Sequence, residues 1–285
     1  MKKVIYLLSF IAVCTAASAQ PYVDIASVYY QQSPADNMSK TKTPMNTQLT
    51  SVLLNLPMQI DSDYIIINPV YENYRLNVNT ETDPINLTAV YMPLGWIHQY
   101  GNPNWSTLLM AIPRLSSDLY KPIDGNDFQM GGIAMATYKK KETLKYSFGA
   151  YYNSEYFGPY LIPLLGIDWN INNKWNLFGT MPINLNLEYK MNKTVHTSLA
   201  LNLLTNSYRI QDKDFMRIDD YNAKFIIDLY MMKNQVISIE AGHSLFRQYR
   251  MGTMVGDKPD YTHDLNVSDG YQFKLAYIYR IRTDK

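Results

Sequence analysis

The first candidate metal ligands in this sequence are its four histidines, His98, His196, His243 and His263. Their spacing brings no two of them to one metal ion on a helix or a strand, and no acidic loop has the pattern of an EF-hand. The sequence contains a single cysteine, Cys14, which excludes a disulfide scaffold and a multi-cysteine metal site. We therefore predict no metal site and no cofactor.

The adjacent residues His243 and Ser244 come closest to a catalytic pair. Barrel phospholipases resemble one another in a His-x-Ser-Asn-Gly signature, whose His and Ser lie on one face of a strand. Here the two residues are adjacent, so they point to opposite faces, and Leu245 follows them instead of Asn-Gly. The sequence has no Gly-x-Ser-x-Gly elbow and no Walker loop. We expect no enzymatic activity, and a lipid hydrolase is the least favoured of three functional interpretations.

The elements that would position polar side chains in this sequence are β-strands. Residues 271–282 alternate apolar or aromatic side chains with polar ones, and successive side chains of a strand point to opposite faces. The same period of two recurs in residues 144–153, 183–190, 195–203 and 224–231. Each segment therefore has one apolar face and one largely polar face.

Nine charged residues occupy polar positions of these and other predicted strands. If the strands close into a barrel in a membrane, the polar face encloses the lumen. The predicted lumen-facing residues are Lys145, Asp168, Glu188, Lys190, Lys224, Asp228, Glu240, Lys274 and Arg280. Because acids and bases are mixed in this set, it predicts no strong ion selectivity.

Polar connections separate the segments. Short turns are predicted at residues 139–142, 172–174, 192–193 and 233–234, and longer loops at residues 31–43, 77–83, 101–104, 121–127, 211–220 and 252–270. Short turns combined with longer loops are typical of outer-membrane barrels. The segments number about 12, and residues 175–190 fit either one long bent strand or two short ones.

The N-terminus predicts export. Lys2 and Lys3 precede an apolar run, and Ala17-Ser18-Ala19 forms a cleavage site, as in a Sec-type signal peptide. The apolar run is too short to span a bilayer. A lipoprotein signal with a lipidated Cys14 is the minor alternative, because Val13 is not the small residue that such processing needs. We predict a signal peptide over residues 1–19 and one barrel domain over residues 20–285.

The amino-acid composition limits which fold classes and which partners are expected. The 26 basic and 25 acidic residues give a net charge of +1, which argues against a nucleic-acid binder. A soluble β-sandwich would also alternate. Long, similar strands, aromatic residues near strand ends such as Trp96, Trp169 and Trp175, and the export signal favour a membrane protein. Since strands can lie in hydrocarbon only when their sheet closes, we predict an all-β fold, an antiparallel transmembrane β-barrel of about 12 strands.

Several blocks of the sequence carry a family resemblance. They are Leu54-Asn55-Leu56-Pro57, Pro113-Arg114-Leu115-Ser116-Ser117-Asp118, Phe128-Gln129-Met130-Gly131-Gly132, Phe157-Gly158-Pro159, Pro163-Leu164-Leu165-Gly166-Ile167-Asp168-Trp169 and Trp175-Asn176-Leu177-Phe178-Gly179. Together they resemble an uncharacterised family of outer-membrane β-barrels of Gram-negative, Bacteroidota-type bacteria, known as a domain of unknown function. The resemblance implies a fold and a location but no catalytic or binding residue. Many such barrels end in Phe, whereas Thr283-Asp284-Lys285 end this chain.

Two functional interpretations stay open beside the hydrolase. The first is a narrow transport or permeability barrel of unknown substrate, with small, weakly selective conductance or passage of one small polar or amphipathic solute. The second is a filled structural or binding barrel that acts through its external loops. A water-filled lumen would favour the first, and interlocked salt bridges with aromatics the second. The expected partners are outer-membrane lipid, the barrel-assembly machinery and a small solute, with no nucleic acid.

Overall fold

The computed structural model describes residues 21–35, 42–78, 84–211, 214–256 and 258–283. The predicted signal peptide lies outside the described residues, so its cleavage stays a prediction. Eighteen strands and one short 3-10 helix, Gly125–Asp127, make up the regular structure of the described part. The strands are β1 Tyr22–Ser33, β2 Asn46–Leu54, β3 Leu56–Ile60, β4 Asp63–Ile67, β5 Val70–Asn77, β6 Ile85–Tyr91, β7 Leu94–Gln99, β8 Trp105–Ser117, β9 Phe128–Lys141, β10 Leu144–Glu155, β11 Gly158–Asn170, β12 Trp175–Met181, β13 Asn184–Lys190, β14 Val195–Ile210, β15 Asp214–Met232, β16 Gln235–Val255, β17 Lys258–Asp264 and β18 Tyr271–Arg282.

All of these strands belong to one sheet, and the pairing of β1 with β18 closes it into a barrel. Three barrel strands are each broken in two: β2–β3 at Asn55, β4–β5 at residues 68–69 and β6–β7 at residues 92–93. Pro69 and Pro93 lie at two of these breaks, where a residue without an N–H cannot continue the ladder. Strand β17 pairs only with β16. The described residues therefore form 14 barrel strands.

The prediction of about 12 strands was too low. Residues 175–190 form two short antiparallel strands, β12 and β13, rather than one bent strand. The region predicted as a loop at residues 211–220 belongs to β15 from Asp214 onwards, and the region at residues 252–270 contains β17. Both regions lack a regular alternation of apolar and polar residues, which was the signal used to count strands.

The two ends of the barrel differ. One end, called here the terminal end, holds the start of β1, the end of β18 and six connections of two to five residues, at residues 61–62, 100–104, 142–143, 171–174, 191–194 and 233–234. The opposite end, called the loop end, carries the longer connections. It also has two tight turns, at residues 156–157 and 182–183. At the first of these, Gly158 has a φ of +109°, a conformation that favours glycine.

The outward face of the wall is apolar. Leu165 and Leu199 are 67% and 61% exposed, and Phe148, Phe225 and Leu275 are exposed in the same way. Trp105 and Trp175 lie on this face near the terminal end. Monomeric soluble proteins rarely expose apolar surface of this extent. Within the described residues, no helix is long and apolar enough to cross a membrane.

The loop-end halves of β14 and β15 leave the wall and enter the barrel. Residues 207–210 are all buried, so this part of β14 is covered on both faces. The Ser116 hydroxyl donates to the Ser207 carbonyl at 2.9 Å, and the Asp118 N–H donates to the Arg209 carbonyl at 2.9 Å. These contacts join β14 to β8, although five strands separate the two in the wall. We call residues 203–211 and 214–220 the inserted segment.

One face of the inserted segment builds the main apolar core. Tyr208, Met216 and Ile218 pack against the opposite wall, where the rings of Tyr74 and Tyr208 meet edge to face with centroids 6.0 Å apart. The other core members include Leu49, Leu76, Leu87, Tyr249 and Leu265. Complete burial of such a side chain stabilises a fold by about 1.5–3 kcal/mol. The loop-end half of the barrel is therefore packed like the interior of a β-sandwich.

Candidate functional site

The structure places the nine predicted charged residues on the inward face of the wall. Their sequence neighbours, such as Phe225, Ile239 and Phe273, are exposed on the outward face. Glu188, Asp228, Glu240 and Arg280 are buried, whereas Lys145, Asp168, Lys190, Lys224 and Lys274 are partly buried. These residues do not meet at one site. Lys145 and Asp168 lie opposite each other on β10 and β11, Lys190 on β13 lies opposite His196 on β14, and the other six divide among three groups.

The first group surrounds Arg280. Its guanidinium donates two hydrogen bonds to Asp24, one of them from Nη2 at 3.0 Å, and a third to Asp228. The ring of Tyr22 lies 3.6 Å below the guanidinium carbon. Such charge-assisted, bidentate pairing is the strongest class of protein hydrogen bond. The sequence did not identify Asp24, because a bulge in β1 between Asp24 and Ala26 interrupts the alternation there.

The second group crosses the barrel at its terminal end. Arg282 on β18 donates to Glu188 on β13 through Nη1 and Nη2, at 2.8 and 2.9 Å. Asn176 also donates to Glu188 at 2.6 Å, and Nδ1 of His196 lies 3.2 Å from the same carboxylate. The ring of Tyr22 meets that of Phe178 nearby, with centroids 5.4 Å apart. Arg282 and His196 were absent from the predicted set, although both share the polar phase of their strands.

The third group is smaller and centres on Glu240. Lys224 and Lys274 contact its carboxylate through Nζ at 3.3 and 2.8 Å. The Lys274 ammonium also lies 4.2 Å from the ring centroid of Tyr29. The three groups pair the interior charges with one another or with aromatic rings. This arrangement stabilises a filled interior along that part of the wall.

A cavity of about 260 Å³ lies on the other side of the interior. Arg114 on β8 lines it and is 5% exposed. The Nη1 nitrogen of Arg114 donates to Asn206 at 2.9 Å and lies 3.9 Å from Glu155. Its lining is mainly aromatic and aliphatic, with Glu72, Tyr91, Ile112, Tyr151, Asn153, Tyr160, Ile162, Leu203, Leu204 and Thr205 among the contributors. The cavity is near the small end of the range for ligand pockets.

The cavity lies beside a gap in the ladder pairing of the wall. Strand β11 pairs with β12 only from Leu165 to Asn170, and β14 pairs with β13 only up to Asn202. The tip of the short β12–β13 hairpin, Pro182 and Ile183, lines the cavity. Above this tip, within the described residues, the edges of β11 and β14 face each other without ladder pairing. We call this gap the side opening.

The side opening has four boundaries. The β12–β13 tip lies on the terminal side, and β11 and β14 form the flanks. On the loop side, the β10–β11 turn joins β14, because the Tyr156 N–H donates to the Ser207 hydroxyl at 2.8 Å. Leu203 and Thr205 belong to the outward phase of β14, since Leu201 and Leu199 are exposed. The cavity therefore lies where the wall has no ladder pairing, next to its apolar outward face.

The remaining candidates form no site. The Ser244 hydroxyl donates to Asp220 at 2.7 Å inside the barrel, whereas His243 meets the ring of Tyr271 on the opposite face. In the described ranges, no group of three His, Cys, Asp or Glu side chains could hold a metal ion.

Gly131 leaves room for the side chain of Asn153, because a Cβ atom at position 131 would lie 2.8 Å from Oδ1 of Asn153.

Comparisons with known proteins place the chain in a family. The family described as domain of unknown function DUF6268 matches residues 16–276. No curated protein shows significant similarity to the sequence. Similar solved structures include an outer membrane channel from Pseudomonas putida F1, with 10% identity, 94% of this chain and 98% of that chain covered and a TM-score of 0.49. The NanC porin has 8% identity, 89% and 100% coverage and a TM-score of 0.42. The TodX monoaromatic hydrocarbon channel, as a deltaS2 mutant, has 10% identity, 90% and 88% coverage and a TM-score of 0.42.

Proposed function

We propose that this chain, which belongs to the DUF6268 family, is an outer-membrane β-barrel that passes a small, mostly apolar solute through its side opening. The loop end then faces the outside of the cell, and the terminal end faces the periplasm. The proposal retains a transport barrel but replaces an open axial pore with a lateral route. Outer-membrane lipid and the barrel-assembly machinery are its proposed partners, and the Bacteroidota-type origin stays a prediction.

The membrane location rests on the outward face. Its exposed apolar side chains would be costly in water, whereas hydrocarbon accommodates them. Tryptophans near the terminal end suit an interfacial girdle. Cell fractionation and the N-terminal residue of the purified protein test this part. We expect the protein in the outer membrane, starting at Gln20; a soluble periplasmic protein or a chain lipidated at Cys14 would contradict it.

The side opening is the observation that carries the transport proposal. The inserted segment and the cross-barrel pairs of Arg282 occupy the axis, whereas the cavity is lined by Pro182, Ile183 and Leu203 at the gap in the ladder pairing. Unpaired strand edges at membrane depth occur where they line a cavity rather than lipid. A lateral route explains both the closed axis and the interrupted wall.

A filled, non-transporting barrel is the second candidate. The interlocked pairs around Arg280, Glu188 and Glu240 favour it, because they fill the interior with charges that satisfy one another. In that case the loops at the loop end would carry the function. Expression in cells and reconstitution in bilayers separate the two candidates.

The decisive experiment measures entry of N-phenyl-1-naphthylamine, a fluorescent apolar probe that an intact outer membrane excludes. Gram-negative cells that display the wild-type protein should take up the probe faster than cells with an empty vector. Leu203→Trp, at the side opening, should slow uptake. Leu201→Trp, two residues away on the lipid-facing wall, is the matched control and should not.

Planar-bilayer recordings complete the test. The purified wild-type protein should give only small ion conductance, because the axis is occupied. If the protein is folded in the outer membrane but raises neither probe uptake nor conductance, the transport proposal fails and the filled barrel replaces it. Large, steady conductance would instead indicate an open axial pore.

A further inference from the structure

We infer that the cavity beside Arg114 binds an uncharged amphiphile with a hydroxyl group, with the hydroxyl at Arg114 and the apolar part toward the side opening. This inference deepens the proposed function, on which it rests, by assigning the chemical class of the solute. It is carried by a buried cation with incomplete hydrogen bonding in a mainly apolar cavity.

Arg114 is the polar anchor of this site. Among the described residues, no atom accepts a hydrogen bond from its Nε or Nη2, although the side chain is almost fully buried. A guanidinium carries five donors, and buried donors are nearly always paired. The ring centroids of Tyr91 and Tyr208 lie 5.9 and 5.3 Å from its central carbon, which stabilises the cation but satisfies no donor. An oxygen atom admitted beside these two nitrogens, which expose almost no surface in the empty cavity, would complete its hydrogen bonding.

The surrounding charges favour a neutral head group. Glu155 lies 3.9 Å from Arg114 and already accepts from Asn153 at 2.6 Å and from the Ser207 N–H at 3.0 Å. The carboxyl group of Glu72 lines the same cavity. A carboxylate or phosphate ligand would therefore meet two acidic groups beside one guanidinium. An uncharged oxygen can accept from Arg114 without this repulsion.

Asn153 favours a hydroxyl over a carbonyl group. Its Nδ2 donates to Glu155, which fixes the orientation of the amide, and its Oδ1 has no donor partner among the described residues. A hydroxyl can accept from Arg114 and donate to Asn153, whereas a carbonyl can only accept. Ile112 and Ile162 supply apolar surface for the rest of the molecule. The head group and the tail of an alcohol therefore both find partners.

Binding of 1-decanol to the purified full-length protein tests the inference, with decanoate and n-decane as comparison probes. Native mass spectrometry of the protein released from detergent micelles counts bound molecules at each probe concentration. We expect one molecule of 1-decanol per barrel and about tenfold weaker binding of both comparison probes. Hydrogen bonds to a charged group are strong enough to give a factor of that size.

Two variants isolate Arg114. Arg114→Lys keeps the charge but loses the planar fork of donors, so binding of 1-decanol should weaken about tenfold. Arg247→Lys is the matched control, since Arg247 is buried elsewhere and donates to Asp220 and Ser33 through Nε and Nη2. Binding should be unchanged in this control. Heat-modifiable migration on gels identifies the variants that form a closed barrel. If Arg114→Lys does not form one, Arg114→Gln is used in its place.

The outcomes separate this inference from the transport proposal. Equal binding of decanoate and 1-decanol, binding unaffected by the change at Arg114, or no binding of 1-decanol by the folded wild-type protein would each overturn the inference. Probe uptake could persist in all three cases. Conversely, Arg114-dependent binding of 1-decanol without any probe uptake would support the binding site and reject transport.

Discussion

The two halves of β14 have the same neighbour, β15, but different surroundings. In the half nearer the terminal end, Leu199 is exposed and Ser198 is buried, so the strand separates an exterior from an interior. In the loop-end half, Ser207 and Tyr208 are both buried. A single antiparallel ladder continues through both halves, from Val195 to Ile210. The comparison shows that strand pairing alone does not determine whether a strand lies in the barrel wall or inside the barrel. The side chains on its two faces determine this.

The partners of the inserted segment explain why it is stable inside the barrel. Its Tyr208 face meets the apolar core, whereas its Ser207 face meets polar groups, with Gln129 donating to the Ser207 hydroxyl at 3.1 Å and Glu155 accepting from its N–H. Both faces are thus matched to their surroundings. An edge strand with its outer backbone groups unpaired would be costly in lipid, and insertion removes that cost.

Removal of the inserted segment should have the largest effect, because it removes the half of β14 that lies inside the barrel. Replacing residues 203–221 with an Asn-Gly turn would join β14 to β15 at the existing Asn202–Asn222 pair. The loop-end half of the barrel would then be open, and we expect conductance to rise from small to porin-like in planar bilayers. If the shortened barrel is folded but conducts no better, the pairs at the terminal end also block the axis.

Loss of Glu188 should have the next largest effect. Glu188→Ala leaves Arg282 without its bidentate partner inside the barrel, and breaking a buried pair in this way costs about 3–5 kcal/mol. Unfolding in urea from detergent or lipid measures the change in free energy. Glu142→Ala is the control, because Glu142 is 86% exposed in its pair with Lys139 and should contribute about 0–1 kcal/mol. Equal losses would mean that the interior is hydrated and screened.

Arginine substitutions sharpen the contrast between the two halves. Leu199→Arg and Phe225→Arg place a charge in lipid and should each cost about 2–4 kcal/mol near the bilayer midplane. Asn202→Arg, on the inward phase, should cost much less. In the inserted segment this asymmetry should vanish, so Ser207→Arg and Tyr208→Arg should both destabilise the fold. Equal costs at Leu199 and Asn202 would contradict the assignment of the wall faces.

The smallest expected effect concerns pH at the loop end. Arg209 donates to Asp124 at 2.7 Å, and this hydrogen bond holds the pKa of Asp124 below its ordinary value. Because the folded pKa lies below the unfolded one, the stabilisation is complete above about pH 4 and is lost as the pH falls through the folded pKa. Asp127 contacts the same guanidinium at 3.4 Å.

Limited proteolysis of residues 118–127 measures this effect. Cleavage should become faster as the pH falls below about 4, with an acid-stable protease throughout. Asp124→Asn should cleave at one rate across that range, since the group that titrates is gone. A wild-type protein whose cleavage does not change with pH would contradict a role for the Asp124–Arg209 hydrogen bond in holding this connection.

The sequence predicted those parts of the fold in which each strand has two different faces. The alternating residues of β10, β13 and β18 lie where a barrel requires them. The lumen-facing role of the nine charged residues stays a prediction. The inserted segment was missed because burial on both faces removes the period of two. The cavity was not predicted either. In the sequence, Arg114 belonged only to one of the blocks that resemble the family, and the lack of partners for its Nε and Nη2 nitrogens depends on how β8 packs against β14.

The position of Arg280 bears on how the barrel is assembled. Arg280 is near the end of the last strand, and its partner Asp24 is near the start of the first, 256 residues earlier. The pair forms across the seam where β18 meets β1, so an open sheet holds a guanidinium and a carboxylate that have not yet met. Closure of the ring gives Asp24 its partner, whereas Arg280 already has Asp228 within the open sheet. The Asp24–Arg280 ion pair thus helps to hold β1 and β18 together, and a chain truncated before Arg280 would lose this pair together with the end of the last strand.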